Sequence, residues 1–295
     1  MGDPLFRGSL TALITPFKNG SVDEAAFQRF VAWQIDQGSH GVVPCGTTGE
    51  SPTLSHAEHM RVNELCIEVA KGKVPVIAGA GSNSTAEAIA FTKHAKTAGA
   101  DAVLHVTPYY NKPTQEGLYQ HYKAIHDAVD IPIVIYNIPG RSVVDMSVET
   151  MARLAKLPNI VGVKDATVDL TRPAKTRAAC GEDFCQLSGE DSTVVPFLAQ
   201  FGHGCISVTS NVAPRQCADL HEAWQRGDIA TVQKINARLL PLHFALFVET
   251  SPGPVKYAAS LLGLCENRLR LPMVPATEAA QAKVRDAMVH AGLIN

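Results

Sequence analysis

The sequence predicts an α/β protein, specifically a (β/α)8 TIM barrel with a C-terminal helical extension, and two observations support this. Short β-branched runs alternate with longer amphipathic segments at a near-constant period of about 30 residues, which favours a barrel over a doubly wound sheet. Most runs are continuously apolar, as is typical of strands covered on both faces. Because the strands stop near residue 214, we predict a catalytic barrel over residues 1–225 and a helical extension over residues 226–295.

Eight runs are predicted as barrel strands, at residues 9–17, 41–46, 74–80, 101–108, 131–139, 160–166, 184–190 and 204–209. Helix starts between them carry a chemical signal, since residues 55–58 and 84–87 both match the S/T-x-x-E capping box. Glycines that can adopt a left-handed cap stand just past three helical patterns, at Gly38, Gly72 and Gly99.

Composition excludes several classes of partner. The chain has 295 residues, is 46% hydrophobic and carries a formal net charge of −2, so it has no electrostatic signature of a nucleic-acid or acidic-membrane partner. Its seven cysteines are odd in number and form no C-x-x-C pair, which predicts reduced thiols and no zinc site. We see no signal region and no run of about 18 apolar residues. These features predict a cytoplasmic protein.

Lys164 is the most informative residue, because it lies in the apolar run 160–166. A lysine is rarely buried without a partner or a function. Burial disfavours the charged form of an amine, and a neutral amine can form a Schiff base with a ketone. The alternative is a lysine at a strand end whose stem packs and whose head reaches water. The functional interpretation gains weight because chemistry in a (β/α)8 barrel occurs at the carboxyl ends of the strands.

Other strand ends are polar and glycine-rich. Residues 46–50, Gly-Thr-Thr-Gly-Glu, could bind a carboxylate through backbone amides and two hydroxyls, or form an ordinary tight turn. Tyr136 could relay protons or simply pack, and Arg141 could bind a carboxylate or be a solvated loop residue. Tyr109 and Tyr110 suggest a site rim, a subunit contact or plain packing.

The sequence contains no complete motif for a nucleotide-binding site or a metal site. Residues 79–84 lack the third glycine of a dinucleotide fingerprint and the acidic residue expected at the end of a second strand. His56 and His59 do not form an H-E-x-x-H pattern. The sequence contains no P-loop and no G-x-S-x-G elbow. We therefore predict no cofactor and no metal.

Six motifs occur in register at predicted strand ends, namely GTTGES at 46–51, VTPYYNKP at 106–113, YNIPGR at 136–141, GVKDAT at 162–167, LSGED at 187–191 and ISVTSN at 206–211. Together they resemble the pyruvate-dependent class I aldolases, the superfamily that includes N-acetylneuraminate lyase. Within it they are most similar to the dihydrodipicolinate synthase family. This resemblance covers essentially the whole chain. It implies a lyase that condenses pyruvate with L-aspartate-4-semialdehyde in diaminopimelate and lysine biosynthesis.

The resemblance also implies roles for individual residues. Lys164 would form the imine and enamine with pyruvate, and no other cofactor would be needed. A hydroxyl relay would move protons through Tyr136, Thr47 and Tyr110, with Tyr110 supplied by a neighbouring subunit. The remaining substrate contacts would be Thr48 with Thr47 on the pyruvate carboxylate, Arg141 on the aldehyde substrate, and the backbones of Gly189 and Ile206 near the product.

A second, regulatory site is implied by the same resemblance. Residues that would bind L-lysine as a feedback inhibitor at a subunit interface are Ser51, His56, His59, Asn83, Glu87 and Tyr109. Glu87 would pair with the ligand ammonium, while Asn83 and Tyr109 would hold its carboxylate. The interface tyrosine implies at least a dimer, and the family implies a tetramer built as a dimer of dimers.

Other functions are compatible with part of the pattern. Another Schiff-base aldolase could cleave sialic acid or a 2-keto-3-deoxy sugar acid, but that branch does not usually place an arginine directly after Pro139-Gly140 and tends to have serine at position 47. A non-catalytic keto-acid-binding barrel has no need of the proton relay. A class II metal aldolase would need a cluster of histidines and carboxylates at the strand ends, which the sequence lacks.

Overall fold

The computed structural model of the protein describes residues 4–295. Within that range the strands are β1 Gly8–Ala12, β2 Phe17–Lys18, β3 Ser21–Val22, β4 Gly41–Val43, β5 Ile77–Gly79, β6 Ala102–Val106, β7 Ile133–Asn137, β8 Ile160–Asp165, β9 Cys185–Ser188 and β10 Gly204–Ser207. The helices are α1 Glu24–Asp36, α2 His56–Ala70, α3 Thr85–Ala98, α4 Gln115–Ala128, α5 Pro139–Ser142, α6 Val148–Leu154, α7 Arg172–Cys180, α8 Val194–Ala199, α9 Pro214–Gln225, α10 Ile229–Ala245, α11 Gly253–Leu261 and α12 Glu278–His290.

The chain divides into two compact units. The first comprises residues 4–7 with Pro75–Ile206. In it, β5 to β10 pair in chain order as parallel neighbours. Their side chains are almost all buried, as expected for strands covered on both faces.

The second unit comprises Gly8–Val74 and Ser207–Asn295. Here β1 pairs in parallel with β4, and α1 packs on α2. The C-terminal helices pack together in the same unit, with α10 contacting both α9 and α12 and α11 contacting α12. No helix in the described part of the chain is both long and apolar enough to cross a membrane.

Eight parallel strands and their connecting helices thus follow one another along residues 4–295, and further helices follow α9. The predicted fold class, a (β/α)8 barrel with a C-terminal helical extension, is confirmed. All eight predicted runs contain a strand. The domain boundary after residue 225 falls between α9 and α10 and stays a prediction.

The predicted first strand, residues 9–17, is too long. It ends at Ala12, and Phe17–Lys18 instead pairs antiparallel with Ser21–Val22. Asn19 and Gly20 form the turn with φ of 52° and 82°, the left-handed conformation that an Asn-Gly hairpin requires. The Asn-Gly pair was the available signal for this hairpin, in which the Phe17 side chain is buried.

Both predicted capping boxes lie at helix starts, but only the one at Ser55 is complete. Ser55 caps α2 in a complete capping box with Glu58. Ser84 caps α3 by accepting from the backbone of Glu87, but the Glu87 carboxylate accepts a hydrogen bond from Ser82 instead of completing a box. Predicted left-handed glycines are confirmed by the positive φ at Gly38, Gly72 and Gly99.

Candidate active site

Lys164 lies in β8 with only 5% of its surface exposed. The parallel register of β7 and β8 pairs it with Tyr136, which is also buried. The Lys164 Nζ atom lies 4.1 Å from the centroid of the Tyr136 ring. The structure therefore brings the predicted nucleophile and the predicted proton-transfer residue into direct contact, near the carboxyl ends of neighbouring strands.

Gly189 lies directly after β9, and its backbone comes close to Lys164. Its amide donates to the carbonyl of Asp165 over 2.6 Å. A Cβ atom at position 189 would lie 2.7 Å from Ala166 Cβ and 3.2 Å from Lys164 Cε. Only glycine therefore leaves the lysine side chain its space.

Ile206 is placed on the neighbouring strand. It is buried in β10 and follows Cys205, whose register partner is Ser188. Because Ser188 immediately precedes Gly189, Ile206 in β10 lies next to Gly189, the residue just after β9, in the same unit.

Hydrogen bonds and an ion pair connect Asn137 and Asp165, the residues directly after Tyr136 and Lys164, through Asp145 and Arg172. Arg172 donates to Asp145 over 3.0 Å, and its Nε lies 3.4 Å from the buried carboxylate of Asp165. Asp145 also accepts from Asn137 over 2.7 Å. Burial raises the pKa of Asp165, and hydrogen bonds from Thr167 act in the opposite direction. These contacts fix the ends of β7 and β8 relative to each other.

Sequence reasoning missed this group. Asp145 and Arg172 lie in a loop and at the start of a helix, 27 residues apart, and no periodic pattern links them. The available signal was the acidic residue at position 165, which follows the lysine directly inside an apolar run.

Tyr110 and Arg141 lie beyond the strand ends. Tyr110 is 90% exposed and has a left-handed backbone with φ of 70°, so its side chain is not part of the buried group around Lys164. Arg141 is exposed on the short helix α5, which directly follows β7. Both side chains face solvent in the single chain.

Thr47 and Thr48 stand in a tight turn after β4, in the second unit. The turn is closed by hydrogen bonds from the Gly49 amide to the Gly46 carbonyl and from the Glu50 amide to the Thr47 carbonyl, both 3.1 Å. Thr48 is buried, whereas Thr47 is half-buried. The turn offers hydroxyl and amide donors of the kind that bind a carboxylate.

Residues of the predicted lysine-binding site occur in both units. In the first unit, Asn83 donates to the Tyr109 carbonyl over 3.2 Å. Burial, together with the nearby Glu87 carboxylate, raises the pKa of Tyr109. Asn83, Glu87 and Tyr109 thus form one group.

In the second unit, Ser51 begins a short 3₁₀ helix, and His56 and His59 lie in the first turns of α2. His56 is exposed and His59 is buried. Across residues 4–295, no group of three or more His, Cys, Asp or Glu side chains could hold a metal ion.

A buried lysine against a tyrosine near the ends of adjacent strands of a (β/α)8 barrel defines the chain as a lyase of the class I aldolase type. Residues 5–291 match the model of the Dihydrodipicolinate synthetase family. The chain belongs to this family.

Individual relatives agree with this assignment. The chain is 71% identical over 290 residues to 4-hydroxy-tetrahydrodipicolinate synthase of Rhodospirillum centenum, covering 98% of this chain and all of the relative. Among solved structures, the dihydrodipicolinate synthase of Cyanidioschyzon merolae with lysine bound has a TM-score of 0.96 at 40% identity, covering 99% of this chain and 100% of that one.

The chloride-inhibited dihydrodipicolinate synthase of Acinetobacter baumannii complexed with pyruvate has a TM-score of 0.95 at 46% identity. That match covers 98% of this chain and 99% of the other.

Proposed function

We propose that the chain condenses pyruvate with L-aspartate-4-semialdehyde, the 4-hydroxy-tetrahydrodipicolinate synthase reaction of diaminopimelate and lysine biosynthesis. One observation carries this proposal, namely the buried contact between Lys164 and Tyr136 in a chain 71% identical to such a synthase. A solved relative complexed with pyruvate supports pyruvate as the first substrate.

In the proposed mechanism, the Lys164 amine attacks the ketone carbon of pyruvate, and water leaves as the imine forms. Loss of a methyl proton gives the enamine, whose carbon attacks the aldehyde carbon of the second substrate and forms a hydroxyl there. The substrate amine then adds to the imine carbon, and the C–N bond to Lys164 breaks as the ring closes. Lys164 leaves as the free amine, so no further cofactor is consumed.

Tyr136 moves protons at each of these steps through its hydroxyl, and the packing of its ring 4.1 Å from the amine supports this role. Thr47 and Tyr110 complete the relay, with Tyr110 donated by a second copy of the chain. Its 90% exposure in the single chain supports a role at an interface between subunits. The assembly is a homotetramer, a dimer of dimers, in the cytoplasm, and it has no nucleic-acid or membrane partner.

Thr47 and Thr48 hold the pyruvate carboxylate, and Arg141 binds the carboxylate of the aldehyde substrate. Gly189 and Ile206 offer backbone groups to the product. The close approach of Gly189 to Lys164 Cε supports this role, because it brings the main chain of Gly189 beside the lysine stem.

A substrate panel tests the reaction. Purified chain is given pyruvate with L-aspartate-4-semialdehyde, and separately sialic acid or a 2-keto-3-deoxy sugar acid, with product formation followed by mass spectrometry. We expect turnover with the semialdehyde alone. Cleavage of a sugar acid instead would identify another Schiff-base aldolase, and binding of pyruvate without any turnover would identify a keto-acid-binding barrel.

Arg141→Ala tests the second-substrate site. We expect KM for the semialdehyde to rise roughly 10- to 100-fold, because a hydrogen bond to a charged group contributes about 1.5–3 kcal/mol. Pyruvate imine formation should be unchanged. Arg153→Ala is the matched control, since Arg153 pairs with Glu116 on the surface. A rise in KM for pyruvate rather than for the semialdehyde would reject the assignment.

We also propose that L-lysine binds at Ser51, His56, His59, Asn83, Glu87 and Tyr109 and inhibits the enzyme. The solved relative with lysine bound supports this, as does the contact of Asn83 with Tyr109. Tyr109 precedes Tyr110, so a ligand there can couple to the relay through the backbone.

Titration calorimetry measures the binding of L-lysine to this site, and a parallel assay measures the activity. We expect saturable binding and reduced activity in the native chain, and roughly tenfold weaker binding in Glu87→Gln, equivalent to about 1.4 kcal/mol. Glu116→Gln is the control, because Glu116 is likewise in the first turn of a helix, α4. Binding that leaves activity unaltered, or no binding at all, would contradict the proposal.

A further inference from the structure

Glu50 and Lys256 form a fully buried ion pair. Lys256 Nζ donates to Glu50 Oε1 over 2.5 Å, and the two side chains are 0% and 1% exposed. They are 206 residues apart and lie in the same unit. Burial lowers the pKa of Lys256, whereas the Glu50 carboxylate acts to raise it. The proposed reaction does not use either group.

Every polar atom of the pair is satisfied. The second Glu50 oxygen accepts from the Arg270 backbone amide over 3.0 Å, and Lys256 also donates to the Arg268 carbonyl over 2.7 Å. The Phe17 ring covers the ammonium, with its centroid 4.1 Å from Nζ. Glu50 therefore connects α11 and the segment before Pro272 to the turn that contains Thr47 and Thr48.

The backbone at Glu50 is constrained as well. Its φ of 56° and ψ of 36° are left-handed, a conformation that disfavours residues with a Cβ. Its amide closes the turn by donating to the Thr47 carbonyl. From the other side, Thr15 donates to the Gly49 carbonyl over 2.7 Å. A strained residue persists only where its surroundings determine its conformation, and the side-chain pair supplies that determination here.

A buried ion pair is weak evidence for added stability, because desolvating two charges offsets much of their attraction. Its better-supported use is to fix one arrangement among several. The Glu50 pair fixes the conformation of the turn 46–49. The hydroxyl and amide donors of this turn bind a carboxylate well only if they already point toward it before it binds.

We propose that Glu50 and Lys256 are positioning residues that hold the turn 46–49 in the conformation that binds the pyruvate carboxylate. This inference rests on the proposed role of Thr47 and Thr48. The pair acts on recognition of the carboxylate and not on the reactivity of the Lys164 amine.

The test measures imine formation by borohydride trapping and mass spectrometry, with pyruvate and with methyl pyruvate, in which the carboxylate is neutralised. In Glu50→Gln, we expect the half-maximal pyruvate concentration to rise roughly tenfold, corresponding to about 1.4 kcal/mol. The half-maximal concentration of methyl pyruvate should be the same as in the native chain. An equal rise for both ketones, or no rise for either, would overturn the inference. Absence of any adduct in the native chain would reject the proposed function instead.

Two further variants separate positioning from folding. Lys256→Met combined with Glu50→Gln removes both buried charges, so the melting temperature should recover relative to Lys256→Met alone while pyruvate affinity stays weak. Recovery of full affinity would mean that the pair has no positioning role.

Glu24→Gln is the matched control. It removes the ion pair of Glu24 with Arg61, 3.0 Å long, in the same unit but without any contact to Glu50, Lys256 or Arg270. We expect the half-maximal pyruvate concentration to stay unchanged. A rise in the half-maximal pyruvate concentration equal to that in Glu50→Gln would also overturn the inference.

Discussion

Lys164→Ala is expected to abolish the borohydride-stable pyruvate adduct and to lower kcat/KM roughly 10⁴-fold or more, the scale of loss when a covalent nucleophile is removed. The reason is that the imine route runs through this amine and disappears with it. The measurement is intact-protein mass spectrometry after trapping, together with a coupled assay using the semialdehyde.

Lys164→Arg keeps a long basic side chain beside the Tyr136 ring but cannot form the imine, so it separates the packing of the side chain from the chemistry of the amine. We expect it to be as inactive as the alanine variant. Lys156→Ala, which removes an exposed lysine near the start of β8, should be fully active. An adduct that persists in Lys164→Ala would assign the nucleophile to another lysine. Circular dichroism confirms that each variant is folded.

Tyr136→Phe is expected to lower kcat by about 10²- to 10⁴-fold, the usual contribution of a positioned acid–base group. The ring that packs against Lys164 is retained, so the loss reports on the hydroxyl. We expect the pyruvate adduct still to form, but slowly, because each proton must then come from water. Single-turnover trapping at short times measures that rate.

Tyr122→Phe is the control for this variant. Tyr122 is fully buried in the same unit, and its hydroxyl donates to the His105 carbonyl over 2.7 Å. Its loss should cost about 1 kcal/mol in the free energy of unfolding. The value of kcat should change little. Equal losses of kcat in both variants would show that any buried tyrosine hydroxyl matters equally, and Tyr136 would have no special part in proton transfer.

Much of this arrangement could be predicted from the sequence because it depends on local patterns. Continuously apolar runs marked β7 and β8, and the rule for barrel strand ends identified Lys164 and Tyr136 as candidates. The family resemblance then assigned them roles. What the runs did not give was the register that pairs the two residues, since register depends on contacts between strands.

The ion pairs around the candidate site could not be predicted in this way. Glu50 and Lys256 are 206 residues apart, and the local sequence around either residue does not predict that the other is its partner. Lys256 is on a helix whose other buried residues are small or apolar, namely Gly253, Pro254, Val255, Ala258 and Ala259. A charge that is buried against a distant partner has the same local sequence as a charge on the surface, so only the folded chain distinguishes them.

The close packing of Gly189 restricts how this enzyme can diversify. A Cβ atom at that position would overlap Ala166 Cβ, 2.7 Å away, and crowd the Lys164 stem, so position 189 does not accept a side chain without a local shift. The end of β7 differs, because Arg141 on α5 is exposed and can be exchanged without repacking the interior. Directed evolution toward other aldehydes should therefore concentrate its library on α5 and leave position 189 untouched.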